Sequence, residues 1–343
     1  MKAVRIHKHG GPEVVQVDEL PRPEPGPKEV AVNIKAAALN HLDLWVRNSL
    51  PNVNFPLPLI MGSDGAGVIT AVGSEVDGWM PGDEVVIQPG VFCGTCPICL
   101  NGTQNLCQSY GILGESQDGV QAQQIVVGRD NVFPKPSHLA FEEAASYGLV
   151  FLTAYQMLVK RAGILAGEVV LILGGNSGVG AAAIQIANAM GAKVIATASA
   201  GPKSEFALSM GAHAVVDHYH ENWYKEVLEL AGPEKVGVVI EHVGEATWQQ
   251  SMRTMGTGAR MVTCGATTGS KVGFDLRHLY RKHQSIMGST MGDLDSFARV
   301  TEGFAKGIYR PFVDRVFGLD EIQEAHKHLE QSKQMGKVVI NLD

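Results

Sequence analysis

Val169-Val-Leu-Ile-Leu-Gly-Gly-Asn-Ser-Gly-Val-Gly180 decides the fold of this 343-residue chain. Its first five residues form a short unbroken apolar run, the pattern of a strand buried on both faces of a parallel sheet. A turn of Gly174-Gly175-Asn176-Ser177-Gly178-Val179-Gly180 follows at once. The spacing then predicts a helix over residues 179–190, with Ile184, Ala187 and Met190 near one face. Glycine lets a backbone turn tightly and approach a pyrophosphate, whose charge is met by amides at the helix N-terminus. Ser177 stands where the usual Gly-x-Gly-x-x-Gly pattern has its middle glycine, so the motif alone is weak. The strand before it and the helix after it give it weight as a dinucleotide site.

Strand patterns recur on the C-terminal side at residues 194–198, 214–217, 236–242, 260–264 and 285–289, with helix-like segments between most of them. Repeated β-α units predict a doubly wound parallel sheet, a Rossmann domain over residues 151–290. An NAD-binding unit usually carries Asp or Glu about 20 residues past the glycines, to hold the ribose hydroxyls. This chain has Thr197-Ala198-Ser199-Ala200 and then Lys203 there. Ser199 and Lys203 suit a 2′-phosphate, which points to NADPH with NADH as the alternative.

On the N-terminal side, residues 1–150 are β-rich. Pro21-Arg-Pro-Glu-Pro-Gly-Pro27 is a stiff connector into Val30-Ala-Val-Asn-Ile34, which alternates as a half-buried strand does. Further strands are expected at residues 68–72 and 84–87. Between them and residue 110 lie Cys93, Cys96, Cys99 and Cys107. This Cys-x2-Cys-x2-Cys-x7-Cys spacing can wrap one tetrahedral Zn²⁺ and leaves no coordination position open for substrate. Two disulfides or a redox pair are the rivals, and the absence of any secretory pattern favours the metal. A structural zinc would order a loop that has little apolar sequence around it. The fifth cysteine, Cys264, reads as an inert thiol at a strand.

Composition narrows the function classes. Hydrophobic residues make up 45% and charged residues 18%, an ordinary globular balance. A net charge of −7 and a pI near 5.9 argue against nucleic acid or an anionic membrane as partner. No signal-like or membrane-spanning run is visible, and the cysteine usage fits a reduced cytoplasm.

Together the β-rich start, the four-cysteine lobe, Gly62-Ser-Asp-Gly-Ala-Gly67 and the glycine-rich turn resemble the medium-chain dehydrogenase/reductase family, over essentially the whole chain. The resemblance implies a GroES-like catalytic domain over residues 1–150, with its zinc lobe at about 90–110, completed by residues 291–343. It places the nucleotide between that domain and the Rossmann domain, with His41, Thr153 and Gly265 among its contacts. It implies a small-molecule substrate and a homodimer or homotetramer.

Zinc-dependent alcohol dehydrogenases of this family hold a second, catalytic zinc through a Cys, a His and a Cys. In this chain the matching positions are Asn40, Ser63 and Leu149. Leu149 cannot bind zinc, and Asn and Ser are poor ligands for it. The proton-relay hydroxyl and histidine of that branch fall at Leu42 and Trp45. Asn40 and the Gly62–Gly67 segment look instead like the zinc-free quinone oxidoreductases and enoyl reductases, which usually lack the lobe that this chain keeps. Hydride transfer is therefore expected to proceed without a catalytic metal. Asn40 and Ser63 are the expected donors to the substrate oxygen, Trp45 a further donor or stacking surface, and Asp64 a catalytic or a structural carboxylate. Substitute metal ligation by His41, Asp43 and Asp64 is the alternative. The expected substrates are quinones or α,β-unsaturated carbonyls; the alternatives are alcohols, aldehydes and ketones, or NADPH binding without turnover.

Overall fold

The structure, a computed structural model, describes residues 1–51 and 53–342. Two compact units divide it: Met1–Leu149 joined by the chain from Gly292 onward, and Val150–Met291.

The second unit is built on a six-stranded sheet, parallel throughout. In spatial order its strands are Ala214–Val216, Lys193–Thr197, Val169–Ile172, Val236–Glu241, Met255–Thr263 and Ser285–Gly288. The first strand in the chain therefore lies third, and the order reverses on either side of it, as a doubly wound sheet requires. Helices Gly178–Ala189, Pro202–Ser209, Trp223–Ala231 and Glu245–Thr254 connect successive strands. Val170, Leu171 and Ile172 are fully buried, which explains why the strand reads as unbroken apolar sequence.

The first unit carries a mixed sheet whose strands run Val132–Pro134, Glu84–Ile87, Asp64–Val72, Glu29–Leu39, Lys337–Asn341 and Val313–Gly318. The strand expected to end at Ile34 continues to Leu39. Ala36-Ala37-Ala38 has little strand propensity of its own, so sequence pattern stops short of it. Pairing with Asp64–Val72 on one side and with the chain's last strand on the other holds it extended. In that register Val338 faces Leu39 and Asp64 faces Ala38. Lys337, Asn40 and Asp64 thus meet at one end of three neighbouring strands.

Helix Ile322–Glu330 buries Ile322, Ala325, His326 and Leu329, an apolar stripe interrupted by one imidazole. The fully buried Arg47 guanidinium donates to Glu330 Oε1 at 2.6 Å and lies 3.4 Å from His326 Nδ1. Burial, and secondarily this cation, push His326 down to about 3. No helix among the described residues is long and apolar enough to cross a membrane.

His326 sets a pH dependence. Its folded pKa lies below its unfolded value, so its stabilising contribution is complete above about pH 6.5 and is lost as pH falls towards 3. Denaturant titrations from pH 7.5 to 4 should show wild type losing stability faster than His326→Gln. Parallel pH curves for the two proteins would contradict this.

Candidate functional site

The cysteine lobe is built for a tetrahedral ion. Cys107 Sγ lies 3.6 Å from Cys93 Sγ, and the Cys93–Cys99 and Cys96–Cys107 pairs are 3.9 Å apart. Zn–S bonds of about 2.3 Å at tetrahedral angles put sulfurs about 3.8 Å apart, whereas a disulfide needs about 2.05 Å. The four sulfurs, all within 4.8 Å of one another, fit one structural zinc. Amides of Thr95 and Cys96 bring the Cys93 thiol down to about 6, favouring the thiolate a metal requires. The lobe, read as a loop, contains two short helical turns, Pro97–Leu100 and Gln104–Leu106, too brief to leave a periodicity in sequence.

The dinucleotide turn has the geometry its glycines imply. Gly174 sits at φ +59°, and a Cβ on Gly180 would lie 2.1 Å from the Gly174 carbonyl oxygen. A Cβ on Gly175 would crowd Ala196, Ala207 and Ile184. Ser177, the departure from pattern, is the N-cap: its Oγ accepts from Gly180 N at 3.0 Å. Helix Gly178–Ala189 starts there, with Val179 in its first turn. Thr197, at the end of the neighbouring strand, accepts from Gly175 N through its carbonyl and from Gly174 N through its hydroxyl. His242 contacts the Leu173 carbonyl through Nε2 at 2.7 Å, and burial lowers its pKa.

Ser199 is half-buried, and Lys203 lies in the first turn of helix Pro202–Ser209. No carboxylate was visible at the end of this strand in the sequence, but the fold supplies one from the next. Asp217 accepts from Tyr219 N at 3.0 Å and from Ala200 N at 3.4 Å, and these amides help hold its pKa down. Its neighbour His218 contacts Thr197 Oγ1 at 3.2 Å; burial and then Lys203 lower its pKa, against Asp217. Anion-accepting and hydroxyl-accepting groups thus meet beyond Thr197. Thr153 is buried with its hydroxyl 3.9 Å from Met291 Sδ, and the Gly265 carbonyl accepts from Thr263 Oγ1. Burial pushes the preceding Cys264 thiol up to about 12, which disfavours its thiolate.

Two of the three positions that match ligands in the zinc branch, Asn40 and Leu149, take part in a hydrogen-bonded network. Asn40 caps helix His41–Asn48, and its backbone N–H donates to Asp43 Oδ2 at 2.7 Å. Its side chain is turned to Asp64, with Nδ2 donating to Oδ2 at 2.9 Å. Lys337 Nζ donates to Asn40 Oδ1 and, at 2.9 Å, to Asp64 Oδ2. The other Asp64 oxygen accepts from Leu149 N at 2.6 Å, an approach that Gly148 permits because a Cβ there would sit 2.6 Å from that oxygen. Lys337, which the sequence reading did not single out, therefore stands among Asn40 and Asp64 as a buried cation. Ser63 points elsewhere: its hydroxyl donates to the Leu113 carbonyl at 2.8 Å. Trp45 packs edge-on against His41, ring centroids 5.1 Å apart, and His41 is exposed.

Asp43 is fully buried beneath this network, with Gln121 Nε2 3.5 Å from its Oδ1. Burial raises it to about 7, opposed by the Asn40 amide and by Lys337. His41, Asp43 and Asp64 do not converge on a common point. Among the described residues the four cysteines are the only group of three or more His, Cys, Asp or Glu side chains spaced for a metal.

Comparison with known proteins accords with this geometry. Residues 26–137 match the family model "Alcohol dehydrogenase GroES-like domain", and residues 178–306 match "Zinc-binding dehydrogenase". Crotonyl-CoA reductase of Streptomyces collinus is 32% identical, the alignment covering 93% of this chain and 80% of that protein. Quinone oxidoreductase of Rattus norvegicus is 28% identical across 100% of this chain and 98% of its own length. The crystal structure of an NAD-dependent alcohol dehydrogenase superposes with a TM-score of 0.97 at 43% identity, covering both chains completely. The chain belongs to the medium-chain dehydrogenase/reductase family, and it is an NAD(P)H-dependent oxidoreductase.

Gly180 offers a direct test of the dinucleotide turn. Gly180→Ala places a methyl against the Gly174 carbonyl, so NAD(P)H affinity in a fluorescence titration should fall by about tenfold or more. Wild-type affinity in a folded variant would contradict the assignment.

Proposed function

We propose that the protein is an NADPH-dependent reductase of quinones or α,β-unsaturated carbonyl compounds, working without a catalytic zinc. One observation carries the reading: Asn40 and Ser63, with Lys337 and Asp64 beside them, occupy the positions where a catalytic metal would need thiolate and imidazole. A donor set of amide, hydroxyl and leucine does not fit zinc.

The reduced nicotinamide supplies the hydride. Reducing an isolated ketone concentrates charge on one oxygen, which a Lewis acid would ordinarily neutralise. Addition at the β-carbon of an enone asks less, because charge spreads into an enolate that hydrogen-bond donors can hold. Asn40 provides such a donor: one Nδ2 hydrogen goes to Asp64 and the second has no partner among the described residues. Ser63 becomes a donor by exchanging the Leu113 carbonyl for the substrate oxygen. Trp45 lines the same helix as a stacking surface or indole donor, and water delivers the final proton. Asp64 serves as the carboxylate that holds Asn40 in place. The crotonyl-CoA reductase and quinone oxidoreductase relatives support this substrate class. Ser199 and Lys203 support NADPH.

A second reading, carbonyl reduction with NADH or alcohol oxidation with NAD⁺, draws on the similarity to an NAD-dependent alcohol dehydrogenase and on Asp217 beside Ala200. Position of the label separates the two. With (4-²H)NADPH and a cyclic enone, deuterium should appear on the β-carbon; deuterium on the carbinol carbon instead would establish the second reading. Asn40→Ala should lower kcat for the enone by roughly a hundredfold, the usual loss for one oxyanion donor. A kcat unchanged in that variant would remove Asn40 from the reaction.

A further inference from the structure

We propose that Lys337 is a positioning residue for the reaction: its buried ammonium fixes and polarises the Asn40 amide so that the remaining Nδ2–H is presented to the substrate oxygen. This rests on the reading that Asn40 receives that oxygen.

An ammonium only donates, so the Asn40 atom facing Lys337 must be the amide oxygen. An ionised Asp64 only accepts, so the atom facing it must be the nitrogen. The two neighbours demand the same orientation, and neither alone fixes both ends of the amide. A positive charge on Oδ1 draws electron density from the amide and makes its N–H a stronger donor, an effect that grows where water is excluded. Lys337 is 2% exposed and Asp64 is 0% exposed, so little solvent damps it. Asp64, held by the Leu149 amide as well, pairs with the ammonium at 2.9 Å without placing a free carboxylate beside a developing enolate. In this chain the positive partner that a metal would provide reaches the substrate through one amide.

A double-mutant cycle between Lys337 and Asn40 tests this on the full-length zinc-loaded protein. Lys337→Gln keeps a donor to Asp64 but removes the charge. It should lower kcat about tenfold, leave the KM for NADPH within twofold, and keep zinc content. In the Asn40→Ala background the same change should cost less than twofold, because the amide through which Lys337 acts is gone. Lys337→Arg, which keeps the charge, should retain at least a third of kcat. Equal losses in both backgrounds, or no loss where Asn40 is intact, would overturn the proposal. Where Lys337→Gln fails to fold, Lys337→Gln/Asp64→Asn, with no buried charge, takes its place in the cycle with the same expected outcomes. The cycle is run with 2-cyclohexen-1-one and, if the wild type prefers it, with a simple ketone. Reduction of ketones only would defeat the enone reading while leaving the cycle valid, since both substrates put charge on an oxygen.

Discussion

The buried contact of Lys337 with Asp64 and Asn40 is the constraint on which the proposed reaction site depends. Taking two ions out of water costs several kcal/mol each, and their attraction recovers this only when the remaining hydrogen-bonding capacity is filled. Here both carboxylate oxygens are engaged, Oδ2 by the Asn40 amide and Lys337 and Oδ1 by the Leu149 N–H. Such a pair is weak evidence for stability, because apolar residues of similar size could stabilise the sheet as well. Its value lies in the geometry it imposes on Asn40.

That geometry needs the chain's end. The strand Lys337–Asn341 pairs antiparallel with Glu29–Leu39 and parallel with Val313–Gly318, which carries Lys337 to a residue 297 positions earlier. Asp64 arrives from the opposite neighbour of Glu29–Leu39. The first unit therefore cannot complete its site without the segment that returns after the Rossmann unit. The cysteine lobe belongs to the same unit but fits another role: four thiolates would saturate a zinc, which would order the loop and leave no position for substrate.

Much of the fold is legible because its signals are local. The unbroken apolar strand, the glycine turn and the helix after it are contiguous, and the four cysteines lie within one short loop. Asn40, Ser63 and Leu149 stand out only against a family pattern, since nothing in their own neighbourhood marks them. Lys337 is illegible from sequence for a physical reason. A lysine before a Val-Val-Ile run looks like a solvated strand start, and its burial is decided by register with a strand near the other end of the chain. Asp217 escapes in the same way, since it reaches Ala200 from a separate strand. The extension of a strand through Ala36-Ala37-Ala38 is likewise set by pairing on both sides and not by propensity.

Zinc stoichiometry measured alongside turnover tests the central claim most directly. Protein purified without added metal should carry about one zinc per chain, and mild chelation should leave NADPH oxidation with a cyclic enone unchanged. Two zincs per chain, with activity disappearing as the more weakly held one leaves, would contradict the account and return the reaction to metal chemistry.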